Sequence, residues 1–159
     1  MKIAFIVPRD HDPEGPLSEF VQSRIFPPIS LARMAGQAAR QAHVTFLDER
    51  IDPAQHLPQA DIAVVFINSY NRYRAYQVAR NYRERGGLVV FTGPLLSQAP
   101  EEACRYADCV FIGAGEEILP GFLADYRHAK PRRLYASANR QAAPSTGNGV
   151  NAALALSLA

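Results

Sequence analysis

The sequence has 159 residues, of which 48% are hydrophobic and 20% charged, as in an ordinary single globular domain. Its 17 basic and 15 acidic residues are spread along the chain and leave a formal net charge of +2. This balance excludes the strong basic patches that bind nucleic acid or membranes, and it favours a small or neutral ligand.

The first residues, MKIAFIVPRD, hold an apolar run that is too short to span a membrane, and no secretory cleavage site follows it. We therefore expect a cytoplasmic protein without membrane contact. Cys104 and Cys109 are the only cysteines. They are too few for a disulfide framework and wrongly spaced for common zinc or iron-sulfur sites, so both are predicted to be buried thiols.

Short apolar runs rich in Val, Ile and Phe predict five strands that are buried on both faces. In chain order these strands cover residues 2–7, 44–47, 62–67, 88–91 and 109–112.

Helical patterns separate these strands. Apolar residues at helical spacing begin at Leu31, Ala75 and Leu119, and shorter helices are predicted from Pro53 and Pro100, over residues 53–58 and 100–106. The alternation predicts an α/β fold, a Rossmann-like (flavodoxin-like) doubly wound five-stranded parallel sheet in three layers, with strand order 2-1-3-4-5.

The chain is predicted to form one domain over residues 1–136. Residues 137–159 are rich in Ala, Ser, Asn and Gly and are predicted to be a linker or flexible tail.

Ligands of doubly wound folds bind beyond the carboxyl ends of the strands. This rule selects five loops, at residues 8–27, 48–52, 68–71, 92–99 and 113–117. The first is long enough to cover a ligand. Within it, His11 lies between two aspartates and is either a metal ligand or a solvated side chain.

The loop after the third strand, NSYNRYRAY, leaves two interpretations open. Asn68 and Ser69 can face a ligand, and Ser69 can also cap the next helix. The following Arg and Tyr side chains either grip a phosphate or a flat ring, or form an ordinary polar helix start. These side chains are Arg72, Arg74, Tyr70, Tyr73 and Tyr76.

Glycines end the fourth and fifth strands, at Gly93, Gly113 and Gly115. A glycine lets the backbone turn sharply and approach a ligand closely. Gly113-Ala114-Gly115 is not a dinucleotide fingerprint, because it follows the last predicted strand and lacks a third glycine. Replacing Gly93 or Gly115 by a bulky residue is therefore expected to weaken ligand retention and to leave thermal stability nearly intact.

Over residues 2–135, the order of these segments resembles the N-terminal cobalamin-binding domain of the B12-dependent radical SAM proteins. That family has a Pro-Pro-Leu-Gly-like turn before the first helix, a Gly-Gly loop with a later Pro-Glu after the fourth strand, and Gly-x-Gly-Glu after the fifth. The matching positions are Pro27 to Ser30, Gly93-Pro94 with Pro100-Glu101-Glu102, and Gly113 to Glu116.

The resemblance implies a Rossmann-like domain that binds cobalamin, a cobalt cofactor, at the ends of its strands. By position, the implied cofactor-binding residues are Asn68, Ser69, Tyr70, Thr92, Gly93, Pro94, Gly113, Ala114, Gly115 and Glu116.

The chain departs from its relatives at two places. Related cobalamin domains carry Asp-x-His-x-x-Gly, whose histidine binds cobalt, whereas this chain has DHDPEG, so no metal ligand is assigned to His11. Pro94 stands where the family usually has a second glycine, and proline lacks a backbone donor.

The sequence contains no Cys-x-x-x-Cys-x-x-Cys loop, so we expect no iron-sulfur cluster in this chain. The resemblance then implies a corrinoid-binding module that is not catalytic alone, either a fragment or a partner of a radical SAM enzyme. No catalytic residue is assigned. Two alternatives stay open, a scaffold or interaction domain that has lost the cofactor, and a flavin or nucleotide binder that uses the same crevice.

Overall fold

In the computed structural model, the described residues are 1–10, 28–52, 56–97 and 100–138. They form one six-stranded sheet in which every neighbouring pair of strands is parallel. The strands are β1 (Lys2–Val7), β2 (His43–Asp48), β3 (Ile62–Phe66), β4 (Leu88–Thr92), β5 (Cys109–Ile112) and β6 (Leu134–Ala136). The helices within these ranges are α1 (Ile29–Ala38), α2 (Arg72–Glu84), α3 (Pro100–Tyr106) and α4 (Gly115–Arg127), with a 3-10 turn at Pro94–Ser97.

The strand order is β2-β1-β3-β4-β5-β6, which confirms the predicted doubly wound α/β fold. The chain starts in the middle of the sheet, moves to the β2 edge, and then crosses β1 to continue from β3 towards β6. Parallel strands end at one edge of the sheet, so the loops that follow the strands all begin there. We call this the carboxyl edge.

Two apolar cores confirm the three-layer architecture. Apolar residues of α1 and α4, such as Met34 and Phe122, pack with Phe5 and Phe111 on one face of the sheet. Those of α2 and α3 pack with Ile6, Phe91 and their neighbours on the other face. The central strands are buried except at one end residue each, because helices cover both of their faces, and this explains why they appear in the sequence as unbroken apolar runs.

The five predicted strands are all present, and the structure adds a sixth. β6 pairs with β5 in parallel through Val110 and Leu134, Phe111 and Tyr135, and Ile112 and Ala136. It has only 3 residues, and two arginines precede it. Such a short segment has too little apolar periodicity to be distinguished from a loop in the sequence.

The helix predicted at 53–58 is not supported, because residues 56–60 have no regular secondary structure. Residues 53–55 lie outside the described part of the chain. The connection from β2 to β3 instead packs through Leu57 and Ala60 against the core beneath α2. Tyr82 Oη donates a hydrogen bond to the Pro58 carbonyl oxygen, which ties this connection to α2.

β6, the last strand within the described residues, ends at Ala136. The next residue, Ser137, is buried, and its backbone N–H donates to the Ile112 carbonyl oxygen. The tail from 139 onward lies outside the described residues, as do residues 11–27 of the first loop with His11 and Pro27. Among the described residues, no helix combines the length and apolar character needed to cross a lipid bilayer.

Candidate functional site

The carboxyl edge brings together the three loops that the sequence selected as a site. β3, β4 and β5 are neighbours in the sheet, so the loops that begin at Ile67, Gly93 and Gly113 lie side by side. The N-terminus of α1 joins them, because Ser30 Oγ donates a hydrogen bond to Glu116. The candidate site therefore has one wall from each of these segments.

The loop after β3 is held by two asparagines that bond to each other. Asn68 N–H donates to Asn71 Oδ1 over 2.8 Å, while Asn71 N–H donates to Asn68 Oδ1 over 2.9 Å. Asn68 Oδ1 also accepts the N–H of Tyr70. The side-chain oxygen of Asn68 therefore serves the loop itself, whereas Ser69 and Tyr70 are exposed.

Ser69 is not the N-terminal cap of α2, since the cap position is occupied by Asn71. Asn71 is only 1% exposed. Asn71 was not among the predicted site residues, although its N-x-x-N spacing from Asn68 is a signal for this kind of closed turn.

The Arg and Tyr side chains considered for ligand contact after β3 separate into a structural group and a group at the mouth of the site. Arg74 forms a bidentate pair with Glu49, with Nε to Oε2 at 2.9 Å and Nη2 to Oε1 at 2.6 Å. Tyr76 stacks on Tyr106 at a centroid distance of 3.9 Å and donates to Glu102. Arg74 and Tyr76 are therefore structural, since they hold α2 to its neighbours.

The remaining side chains of this set, Tyr70, Arg72 and Tyr73, stay at the mouth of the site. Tyr70 and Tyr73 are 41% and 52% exposed. Arg72 lies over the Tyr73 ring, 4.9 Å from its centroid, and donates to the Tyr73 hydroxyl. The Arg72 guanidinium is thus held against Tyr73, and its Nε is buried without a hydrogen-bond partner.

The turn after β4 needs glycine for reasons internal to the protein. Gly93 has a φ of +135°, and a β-carbon there would collide with the carbonyl oxygen of Ile67. The Ile67 N–H in turn donates to the Thr92 carbonyl oxygen. Thr92 is 5% exposed, whereas Pro94 is exposed and begins the 3-10 turn.

The space beside the glycines after β5 is also filled by the protein's own atoms. A β-carbon at Gly113 would meet Ser137 Oγ, and one at Gly115 would meet the sulfur of Met34. Ser137 Oγ accepts the N–H of Ala114, which links the turn to the strand next to it. The expectation that Gly93 or Gly115 can be enlarged with stability nearly intact therefore conflicts with these contacts, most of all at Gly93, where the clashing atom belongs to the backbone.

Glu116 in the first turn of α4 is bound to α1 from two directions. Its carboxylate accepts a hydrogen bond from Ser30 and lies 3.7 Å from Arg33 Nη1. The Ser30 hydrogen bond, helped by a backbone N–H and by Arg33, lowers the pKa of Glu116 below its ordinary value, against the effect of its partial burial. The carboxylate is thus held ionised at the helix N-terminus, where the dipole favours negative charge.

The loop after β2 carries a different set of charges. Glu49 is only 2% exposed, and besides Arg74 it accepts the N–H of Arg9. Asp48 forms a bidentate pair with Arg50 at 2.8 and 2.6 Å. Both carboxylates at the end of β2 are therefore paired within the chain, and neither pairing was predicted from the sequence.

The ten predicted site residues all lie at the carboxyl edge, but they differ in their exposure to solvent. Four are exposed, namely Ser69, Tyr70, Pro94 and Gly113. Asn68, Gly93, Ala114 and Glu116 are half-buried, and Thr92 and Gly115 are buried. The exposed group is therefore accessible to a ligand, while the buried residues support it from beneath.

The cysteines lie away from this edge. Both were predicted to be buried thiols, and one of the two is. Cys109 is buried at the start of β5, and burial raises the pKa of its thiol to about 12. Cys104 on α3 is half-buried, and burial raises its pKa as well. Across residues 1–10, 28–52, 56–97 and 100–138, no group of three or more His, Cys, Asp or Glu side chains has the arrangement of a metal site.

No protein-family model matches this chain. It is similar to bacteriochlorophyllide d C-8(2)-methyltransferase of Chlorobaculum tepidum, with 30% identity over 98 residues, which cover 61% of this chain and 22% of that protein. It is also similar to the C-12(1)-methyltransferase of the same organism, with 25% identity over 114 residues, which cover 70% of this chain and 25% of that protein. The chain thus matches about a quarter of the length of each relative, and it is a parallel α/β domain distantly similar to part of the bacteriochlorophyllide methyltransferases.

Proposed function

We propose that this chain is a cobalamin-binding module of the kind found in B12-dependent radical SAM methyltransferases. Its carboxyl edge would hold the corrin ring, and the loops after β3, β4 and β5 would contact the cofactor. The module would present the corrinoid to a separate catalytic domain or protein and would not be catalytic alone. The substrate of the reaction would be bound by that catalytic domain or protein.

One observation carries this proposal. The loops after β3, β4 and β5, of which the last two carry motifs that resemble the cobalamin-binding family, are separated in sequence but adjacent at the carboxyl edge, because β3, β4 and β5 are neighbours. A sheet with a different strand order would have placed these loops apart. The similarity to two methyltransferases gives independent support, since most of the chain is covered in both comparisons.

The chemistry of the exposed residues fits a corrinoid. Its flat ring carries amide side chains, which need hydrogen-bond donors and acceptors around an apolar surface. Ser69 and Tyr70 place hydroxyl groups at the centre of the edge, and half-buried Arg72 follows them at the start of α2. Gly113 and Pro94 offer surface with no long side chain, against which a flat group can lie.

The nucleotide alternative has less support. Dinucleotide-binding Rossmann folds use a free carboxylate near the second strand to bind a ribose. Here Asp48 and Glu49 are both in bidentate pairs with arginines. A nucleotide would have to break one of these pairs, and opening a buried pair such as the one at Glu49 is costly.

The scaffold alternative differs from the proposal in one measurable property, which is retention of the cofactor. The purified chain is incubated with hydroxocobalamin, desalted, and examined by its visible spectrum. We expect close to one corrinoid per chain. A desalted protein without corrinoid would reject the proposal in favour of a scaffold, and flavin mononucleotide and ATP tested in parallel address the remaining alternative.

The position of binding is tested with tryptophan as a reporter, because the sequence contains none. Tyr70 and Tyr106 are each 41% exposed, but Tyr70 lies at the carboxyl edge and Tyr106 ends α3 at the opposite edge. Corrinoids absorb where tryptophan emits and therefore quench it at short range. We expect strong quenching in Tyr70→Trp and weaker quenching in Tyr106→Trp, whereas equal quenching would argue against the proposed location.

A further inference from the structure

Asn71 uses both polar atoms of its side chain within the carboxyl edge. Its Oδ1 accepts the N–H of Asn68, and its Nδ2 donates to the carbonyl oxygens of Phe66 at 3.1 Å and Pro8 at 3.5 Å. Phe66 ends β3, and Pro8 follows β1. One buried amide therefore connects the ends of two neighbouring strands to the loop between β3 and α2.

This connection determines which groups of the loop face outward. The N–H groups of Asn68, Tyr70 and Asn71 are all bonded to asparagine side-chain oxygens. Backbone donors that are bonded in this way cannot serve a ligand. What the loop presents is then limited to the exposed residues Ser69 and Tyr70.

We infer that Asn71 is the positioning residue of the corrinoid loop, defined as residues 68–70, and that it acts through its amide without touching the cofactor. This inference rests on the proposed function. A side-chain amide suits the task because it offers a donor and an acceptor at once. Aspartate has the same shape but offers only acceptors when ionised, and its second oxygen would face the carbonyl oxygens of Phe66 and Pro8.

The test compares Asn71→Asp with Asn81→Asp, which makes the same chemical change within α2, away from the loop. The Asn81 Oδ1 atom is buried without a hydrogen-bond partner, so Asn81→Asp carries the cost of burying a carboxylate oxygen but breaks no hydrogen bond of that atom. Dissociation constants for hydroxocobalamin are measured for both variants and the wild type. We expect at least a tenfold weaker affinity for Asn71→Asp, and a change of less than about twofold for Asn81→Asp, since no hydrogen bond to the loop is lost there.

Hydrogen exchange provides a readout that is independent of the cofactor. In Asn71→Asp, the amide hydrogens of residues 68–71 should exchange at least about tenfold faster than in the wild type, while those of the central strands keep their protection. Asn71→Ala is the second variant, because it removes the hydrogen bonds without adding repulsion. It should reproduce both effects with a smaller loss of stability.

Each outcome bears on the inference. If wild-type protein retains corrinoid and both Asn71 variants bind it with unchanged affinity, the inference is wrong and the proposed function stands. If the wild type retains no corrinoid, both the proposed function and this inference are rejected. If both variants lose the entire fold, Asn71 is a residue of global stability and the positioning role is rejected.

Discussion

The carbonyl oxygen of Ile67 occupies the space where a β-carbon at Gly93 would lie. Because Gly93 also has a φ of +135°, alanine at this position suffers both a collision and an unfavourable backbone conformation. Gly86 has a φ of +78°, but no atom lies within 4 Å of the place that its β-carbon would take, so it isolates the conformational cost alone. The two glycines form a matched pair.

We expect Gly93→Ala to lower the free energy of unfolding by about 1 to 3 kcal/mol more than Gly86→Ala, as is typical of overpacking. Urea unfolding followed by circular dichroism measures both values. Equal losses in the two variants would mean that the turn relaxes and that contact with Ile67 is unimportant. The result decides whether reduced corrinoid retention in a Gly93 variant reports on the ligand or on the fold.

The ion pair between Arg74 and Glu49 predicts a large difference between two arginines of α2. Arg74→Ala leaves the 2% exposed Glu49 without its charged partner, whereas the pair of Arg80 with Glu84 is exposed to solvent. Loss of one partner from a buried pair typically costs about 3 to 5 kcal/mol. Exposed pairs contribute about 0.5 kcal/mol or less when they lie one helical turn apart.

Thermal and urea unfolding of Arg74→Ala and Arg80→Ala measure this difference. The Arg74 variant should be the less stable of the two by several kcal/mol, on the order of 3. Similar stabilities would show that water reaches Glu49 once Arg74 is removed. In that case the pair is not the element that holds α2 to the end of β2.

The strands were predictable because helices cover both faces of the central sheet, which forces unbroken apolar runs such as Ala4 to Val7 and Ile62 to Val65. The parallel strand order followed from the alternation of strands with helices. β6 was not predictable, since half-exposed Leu134 and exposed Ala136 flank a single buried residue, Tyr135. A strand that short is fixed by pairing with β5 more than by its own composition.

The carboxyl edge was predictable as a place, but its internal bonds were not. Asn71 and Asn68 have the same residue type and similar surroundings in the sequence, and only the fold buries one and leaves the other half-exposed. The pairing of Glu49 with Arg74 spans 25 residues, and the one between Ser30 and Glu116 spans 86. Such distant partners depend on how the loops meet at the sheet edge, which local sequence patterns do not encode.

The hydrogen bond from Ser30 to Glu116 predicts a pH-dependent contribution to stability. Since the pKa of Glu116 is lowered in the folded protein, its contribution is present above the unfolded value of about 4.3 and is lost as the pH falls through the folded value. Glu116→Gln should therefore cost about 1 kcal/mol at pH 7, and the difference from wild type should shrink below about pH 4.

Glu117→Gln is the control for this prediction, because Glu117 lies in the same first turn of α4 and is exposed. It shares the helix dipole but not the contact with Ser30. Urea unfolding at about pH 7 and at about pH 3 gives the two differences. A pH-independent effect of Glu116→Gln, or an equal effect of Glu117→Gln, would contradict a specific role for the hydrogen bond.

Pro94 provides the last prediction, which concerns the affinity of the proposed site. It is exposed at the start of the 3-10 turn, where the first N–H of a helical turn has no intrahelical partner. Proline removes this donor, whereas the cobalamin-binding family usually has glycine at the position. If the lost donor limits binding, Pro94→Ala should tighten hydroxocobalamin binding about fivefold to tenfold, the value of one net hydrogen bond.

Pro94→Gly distinguishes the effect of the restored backbone donor from the effect of greater chain flexibility. It restores the same N–H but increases the entropy of the unfolded chain, so it should lower stability by about 0.4 to 1 kcal/mol relative to proline. Affinity that rises in both variants identifies the backbone donor as the cause. A rise in the glycine variant alone would instead indicate that the loop must move to admit the corrinoid, and unchanged affinity in both would remove Pro94 from the site.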